Sequence, residues 1–163
     1  IIPRTSGALG YTMQVPESEK NLYTKDDLIN HITTLCGGRA AEEVIFNEIS
    51  TGAANDIEKA TELARSMVVE YGMAEKFGMV RFQEQGARYM GEKGNMNCSE
   101  STLKEIDDLI VEIVKNAQEK ARQMIADNKD AMKELSEFLL EKETITGTEF
   151  MEIFEKYVDK KSI

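Results

Sequence analysis

Apolar residues recur every three or four positions over most of the chain, which is the spacing of one face of an α-helix. The strongest such pattern lies between residues 99 and 128 and predicts a long amphipathic helix. Its apolar positions are Leu103, Ile106, Ile110, Ile113, Ala117, Ala121 and Met124. Two shorter helices are predicted after it. Their inward positions are Met132, Leu135, Phe138 and Leu139 in the first, and Phe150, Ile153, Phe154 and Tyr157 in the second.

A further helix is predicted from Thr24 to Phe46. Thr24 followed by Asp27 is typical of a capping box, in which a hydroxyl and an acid satisfy the free amides at a helix start. The inner stripe of this helix comprises Leu28, Ile32, Leu35, Arg39, Glu43 and Phe46. Gly37 and Gly38 fall inside it, each at a cost of about 1 kcal/mol relative to Ala. The glycine pair therefore predicts that another backbone comes close at this point.

The next helical pattern runs from about Asn55 to Tyr71 and stops at Gly72, a residue typical of helix C-terminal caps. Residues 73–98 are rich in glycine and only weakly periodic, and they predict a loop with at most a short strand at GMVRF, residues 78–82. In the last part of the chain, Thr146 followed by Glu149 is typical of a second capping box.

The segment ALGYTM, residues 8–13, has the aromatic and β-branched content of a strand. The predicted fold class is therefore mainly α, a helical bundle of about five helices with a small N-terminal β element. A single domain over residues 1–163 is expected. Its predicted parts are a strand and loop over 1–23, helices carrying the candidate site over 24–72, a loop over 73–98 and C-terminal helices over 99–158.

Composition and charge narrow the classes of function. The chain has 163 residues, with 30 acidic against 20 basic side chains and a formal net charge of −10. Such a balance repels phosphate backbones, so a nucleic-acid partner is not expected. The two cysteines suggest no disulfide framework, and no apolar run approaches the ~20 residues of a membrane span. The chain by itself is expected to be soluble.

Asp56 is an acidic residue at the start of a predicted helix, and its position has two interpretations. If Asn55 capped the helix and Glu58 completed a capping box, Asp56 would be a first-turn acid favoured by the helix dipole by about 0.3–1 kcal/mol. Helical spacing, however, places Asp56 on the inward side of the helix. The apolar residues in register with it are Ala60, Leu63 and Met67. A carboxylate on that side needs a partner such as a metal ion, and both interpretations stay open from residue types.

Other charged residues offer weaker candidates. Arg39 and Glu43 are spaced as an i,i+4 ion pair, and either of them would alternatively orient a metal ligand by hydrogen bonding. Glu42 is a second candidate ligand, but Asp56 is preferred because the small residues before it leave access. His31 is the one histidine of the sequence and is predicted to be a surface or packing residue.

Six segments resemble, in the same order, the FtsH family of membrane-anchored, ATP-dependent zinc metalloproteases. They are IIPRTSGALGYTMQVPE, LYTKDDL, GGRAAEEVIF, STGAANDIEKAT, ARSMVVEYGM and LLEKETITGTEF. The resemblance covers residues 1 to about 150. It implies a helical peptidase domain that, in the parent protein, assembles as a hexamer beside an AAA+ ATPase module on the cytoplasmic side of a bacterial membrane. Protein substrates are the implied partners.

The resemblance also implies roles for particular residues. Asp56 matches the aspartate that serves as the third zinc ligand of the family. The strand beside the active cleft, to which an extended substrate would add by main-chain hydrogen bonds, corresponds to Ala8, Leu9, Gly10, Tyr11, Thr12 and Met13. Arg39 and Glu43 are the candidates for positioning the ligand.

The sequence departs from the family in having no HExxH motif, whose histidines bind zinc and whose glutamate is the general base, and no ATP-binding motif. In the family HExxH lies shortly before the IIPR segment, so the chain is expected to be a fragment. We hypothesise that it does not hydrolyse peptides by itself, that zinc has one of its ligands here, and that ATP acts through another module. The alternative is a non-catalytic helical oligomerisation or interaction module.

Overall fold

The computed structural model describes residues 22–82 and 97–158. Within these ranges it contains six α-helices and no strand, so the prediction of a mainly helical fold is confirmed. The predicted strand at residues 8–13 lies outside the described residues. The described residues fall into two compact units, 22–122 and 123–158. The prediction of one domain with four parts stays a prediction.

The first helix, α1, spans Lys25–Leu35 and begins with the predicted capping box. The Thr24 amide donates to Asp27 Oδ2 at 2.8 Å, and the Asp27 amide donates to Thr24 Oγ1 at 3.2 Å. The helix was predicted to continue to Phe46, and this is wrong. It breaks at Cys36, and a second short helix, α2, spans Gly37–Ala41.

A π-helical turn, Glu42–Phe46, follows α2 and ends at Asn47, which has a left-handed backbone with φ of 53°. Its wider i→i+5 spacing turns the residues after it away from the face that the 3.6-residue pattern predicts. Phe46, predicted to face inward, is accordingly 70% exposed. Apart from the chain neighbours and the backbone of the helix itself, no described atom lies within 4 Å of a Cβ built on Gly37 or Gly38. The close approach of another backbone predicted there is therefore not found among the described residues.

A 3-10 turn, Thr51–Ala53, leads into α3, which spans Ala54–Val69. The end of α3 follows the pattern that Gly72 predicts: Gly72 has φ of +62°, and the Met73 amide donates to the Met67 carbonyl at 3.0 Å. In place of the short strand predicted at 78–82, the structure has isolated backbone hydrogen bonds. The Phe82 amide donates to the Val69 carbonyl at 3.0 Å, and the Phe82 carbonyl accepts from Asn97 at 2.8 Å.

The long helix α4 spans Glu100–Asp127 and, in its first part, completes the core of the larger unit. Ile32, Met67 and Ile106, one from each of α1, α3 and α4, are each at most 1% exposed. Burying a side chain of this size contributes about 1.5–3 kcal/mol. The apolar stripes predicted for these three helices are thus the surfaces that form the core. The other fully or nearly buried members are Leu28, Ala60, Ala64, Val68, Val69, Phe82, Ile110 and Ala117.

The smaller unit contains the end of α4 together with α5, Lys129–Lys142, and α6, Gly147–Val158. The second capping box forms as predicted, with the Thr146 amide 2.8 Å from Glu149 Oε2 and the Glu149 amide 3.3 Å from Thr146 Oγ1. Ile153 is buried as predicted, whereas Met124 and Phe150 are 53% and 41% exposed. These two predictions of inward positions are wrong because a unit of this size leaves part of each apolar stripe uncovered.

Across residues 22–82 and 97–158, none of the helices combines the length and the apolar character needed to cross a lipid bilayer.

The left-handed backbone at Gly72 generates a stability prediction. A Cβ at this position would lie 3.3 Å from the Gly78 carbonyl oxygen. We expect Gly72→Ala to lower the free energy of unfolding by about 1–2 kcal/mol, the cost of a left-handed conformation for an L-residue, in urea denaturation. Gly38→Ala, in the helical and open backbone of α2, is the matched control and should be neutral or stabilising. Equal losses for the two variants would contradict the prediction.

Candidate functional site

Asp56 is the third residue of α3 and is half-buried. It lies on the side of the helix that carries Ala60 and Met67, both 1% exposed, so the inward position predicted from periodicity agrees with the structure. The alternative prediction, a capping box formed by Asn55 and Glu58, is wrong. The helix begins before Asn55, and the residue at its cap position, Ala53, offers no side-chain hydrogen bond.

Within the described ranges, no hydrogen bond and no ion pair engages the Asp56 carboxylate. Its electrostatic neighbour is the thiol of Cys36, at the break between α1 and α2. Burial, and after it the charge of Asp56, raises the pKa of that thiol. The carboxylate therefore lies on the core side of its helix without a cation among the described residues.

This arrangement fits a metal ligand, because a carboxylate oxygen is one of the donors that zinc accepts in proteins. Among the described residues, however, no group of three or more His, Cys, Asp and Glu side chains is placed to hold a metal ion. The predicted role of Asp56 stays a prediction. His31 is exposed, as expected of a surface residue.

The turn that precedes α3 is held by a cluster of three residues, which we call the Arg39–Glu42–Ser50 clamp. Arg39 Nη1 lies 3.1 Å from Glu42 Oε2, and Arg39 Nη2 donates to the Ser50 carbonyl oxygen at 2.8 Å. Glu42 accepts the Ser50 amide at 3.2 Å and also the Ser50 hydroxyl. Ser50 Oγ in turn accepts the Gly52 amide at 3.1 Å.

The clamp corrects the predicted pairing of Arg39 with Glu43. Arg39 pairs with Glu42, and the Glu43 carboxylate instead binds α4, accepting from Gln118 Nε2 at 2.9 Å and lying 3.3 Å from Arg122 Nε. Residues three apart are neighbours on a helix as residues four apart are, so Arg39 and Glu42 form an ordinary i,i+3 pair. Sequence reasoning missed Ser50, whose one signal was its place as a hydroxyl residue just before a turn of small residues.

Glu42 was the alternative candidate ligand. Hydrogen bonds from the Ser50 hydroxyl, then from the Ser50 amide, and the charge of Arg39 lower the pKa of Glu42. Its carboxylate is thus already satisfied by protein donors, in contrast to that of Asp56.

Comparison with known proteins identifies the family to which the chain belongs. Residues 1–153 match the model of Peptidase family M41. Since the match spans nearly the whole chain, the chain belongs to this peptidase family, and the resemblance inferred from the six segments is confirmed.

Similar proteins with assigned names support the same family. The chain is 48% identical over 162 residues to the ATP-dependent zinc metalloprotease FtsH of Clostridium perfringens, a match covering 99% of this chain and 23% of that protein. It is 49% identical over 156 residues to the FtsH of Lancefieldella parvula, covering 96% and 24%. The FtsH of Thermotoga maritima is 43% identical over 166 residues, covering 98% and 27%. The chain thus spans about a quarter of the length of these relatives.

The clamp generates a prediction of pH dependence. Because the folded-state pKa of Glu42 is lowered, its stabilising contribution is present above its unfolded-state pKa of about 4.3 and is lost as the pH falls through the folded-state value. We therefore expect Glu42→Gln to lose less stability than the wild type as the pH falls below about 4.3. Thermal melting temperatures measured across this range test it, and parallel curves for the two proteins would contradict it.

The neighbourhood of Cys36 and Asp56 generates a second prediction. In a Cys98→Ser background, where Cys36 is the one thiol, Asp56→Asn removes a charge that raises the pKa of the thiol. Because the thiolate is the reactive form, we expect faster alkylation of Cys36 by iodoacetamide at pH 8. Glu58→Gln, which changes an exposed acid of the same helical turn, is the control. Equal alkylation rates in the Asp56→Asn and Glu58→Gln variants would contradict the interaction between Asp56 and Cys36.

Proposed function

We propose that this chain is part of the peptidase domain of an ATP-dependent zinc metalloprotease that degrades proteins, and that Asp56 is one of its zinc ligands. The observation that carries the proposal is the half-buried Asp56 carboxylate, which has no hydrogen-bond or ion-pair partner among the described residues. Membership of a peptidase family and relatives named as zinc metalloproteases support it.

The chain's own residues have distinct tasks in this proposal. Asp56 offers a carboxylate at the start of α3, and the Arg39–Glu42–Ser50 clamp anchors the turn before it. The proposed substrate-binding segment is Ala8 to Met13, which would bind an extended substrate through main-chain hydrogen bonds, so that many sequences are accepted. When bound, zinc would polarise the scissile carbonyl and lower the pKa of a water.

The remaining parts of the machinery belong to the parent protein. We propose that an HExxH helix supplies the two histidine ligands and the general base, since this sequence contains no such motif. In the parent, an AAA+ module would use ATP to feed unfolded proteins to a hexameric ring on the cytoplasmic side of a bacterial membrane. Misfolded and short-lived proteins are the substrates proposed.

The ligand assignment is tested in the intact protease by comparing Asp56→Asn with Glu58→Gln, the exposed acid two residues further on. We expect Asp56→Asn to weaken zinc binding by more than the ~10–100-fold loss that follows removal of residues outside the ligand set, and to abolish peptide hydrolysis. Glu58→Gln should match the wild type in both. Zinc affinity is measured by competition with a chromophoric chelator. Wild-type zinc affinity in Asp56→Asn would refute the assignment.

The division of ligands between this chain and an HExxH helix makes a separate prediction. The purified 163-residue chain should not cleave an unfolded protein such as reduced casein when zinc is added, because one carboxylate does not hold zinc closed. Gel analysis over several hours checks this result. Cleavage that depends on zinc and stops with a chelator would show that the chain carries a complete site.

A further inference from the structure

The position of Asp56 depends on the short segment that leads into α3. Asp56 is six residues after Ser50, and the residues between them form the 3-10 turn and the first turn of the helix. Ala53 at the end of the 3-10 turn is buried, whereas Ser50, Thr51 and Gly52 are all exposed. Packing therefore supports the end of the segment, and its start is held by polar contacts.

Those contacts engage every polar group of Ser50. Its amide and its hydroxyl both donate to Glu42, its carbonyl oxygen accepts from Arg39 at 2.8 Å, and its hydroxyl oxygen accepts the Gly52 amide. Two of the partners are ionised, and hydrogen bonds of that kind are about twice as strong as neutral ones. The ionised partners are also shielded from water, with side chains 16% exposed for Arg39 and 27% for Glu42.

The clamp also packs directly on the turn. A Cβ built on Gly52 would lie 3.3 Å from Ser50 Oγ and 3.8 Å from Glu42 Oε1. The absence of a side chain at Gly52 thus allows the carboxylate and the hydroxyl to approach the backbone. The turn is held at its start by hydrogen bonds, and the clamp lies close to its backbone at Gly52.

We infer that Glu42, acting with Arg39 through Ser50, is a positioning residue for the metal ligand: it fixes the turn that begins α3 and so sets the place of the Asp56 carboxylate before a metal binds. The ligand role of Asp56 rests on the proposed function, whereas the fixing of the turn does not. A ligand held in place in advance loses less conformational freedom on binding, which raises affinity.

Glu43 provides a matched control from the next position in the chain. It has the same charge and a similar exposure, 23% against 27%. Its partners are on α4, however, and not on the turn before Asp56. If the two glutamates acted only on overall stability, removing either would have the same kind of effect.

The first experiment uses the intact protease and measures zinc affinity by chelator competition together with the melting temperature. Glu42→Gln and Ser50→Ala should weaken zinc binding by about 10–100-fold. Glu43→Gln should lower the melting temperature without changing zinc affinity. Ser50→Thr, which keeps the hydroxyl, should recover most of the affinity lost in Ser50→Ala. Equal loss of zinc affinity in Glu42→Gln and Glu43→Gln would overturn the inference.

The second experiment needs no metal. In the 163-residue chain, amide hydrogen exchange at Gly52 and Ala53 is followed by NMR. We expect faster exchange in Glu42→Gln and Ser50→Ala than in Glu43→Gln, because only the first two loosen the clamp. Unchanged exchange in Glu42→Gln would overturn the inference.

The two proposals fail separately. If Asp56→Asn abolishes zinc binding while Glu42→Gln leaves it at the wild-type level, the positioning role is refuted and the ligand assignment stands. If Asp56→Asn retains wild-type zinc affinity, the proposed function is refuted, and the role of the clamp in fixing the turn is then decided by the exchange rates.

Discussion

Ser50 has no apolar side chain to bury, and yet it caps the 3-10 turn that leads into α3. The half-buried ion pair of Arg39 and Glu42 holds Ser50 in place: Arg39 donates to the Ser50 carbonyl oxygen, and Glu42 accepts the Ser50 amide. An exposed ion pair contributes about 0–1 kcal/mol. This pair acts mainly by orienting the Ser50 backbone, since one partner donates to the carbonyl of that residue and the other accepts from its amide. The apolar core holds α3 against α1, and the clamp fixes where that helix starts.

The neighbouring residues Glu42 and Glu43 bind two different elements. Glu42 is directed toward the turn before Asp56, while Glu43 accepts from Gln118 and pairs with Arg122 on α4. In a regular α-helix consecutive residues point about 100° apart, which is enough to serve two different elements. One short turn therefore joins the candidate site to two parts of the larger unit.

Much of this architecture follows from the sequence, because its causes are local or periodic. The capping boxes at Thr24 and Thr146 need only residues three positions apart, and the inward side of Asp56 follows from helical spacing. The break at Cys36 and the widened turn after it do not follow from the 3.6-residue periodicity. The partner of Arg39 was misassigned by one residue because i,i+3 and i,i+4 pairs are both compatible with helical spacing. Ser50 was missed because it lies in a loop, where no spacing rule connects it to Glu42.

The hydrogen bonds that Arg39 makes to Glu42 and Ser50 have a consequence for Asp56. An arginine that is already bound to Glu42 and to the Ser50 carbonyl does not neutralise a second carboxylate. Asp56 thus keeps a first-turn position, which the helix dipole favours by about 0.3–1 kcal/mol, without an ion pair among the described residues. The Cys36 thiol, whose pKa is raised by burial and by the charge of Asp56, is half-buried and supplies no positive charge. A carboxylate that makes no ion pair among the described residues can bind a metal ion without an ion pair being broken.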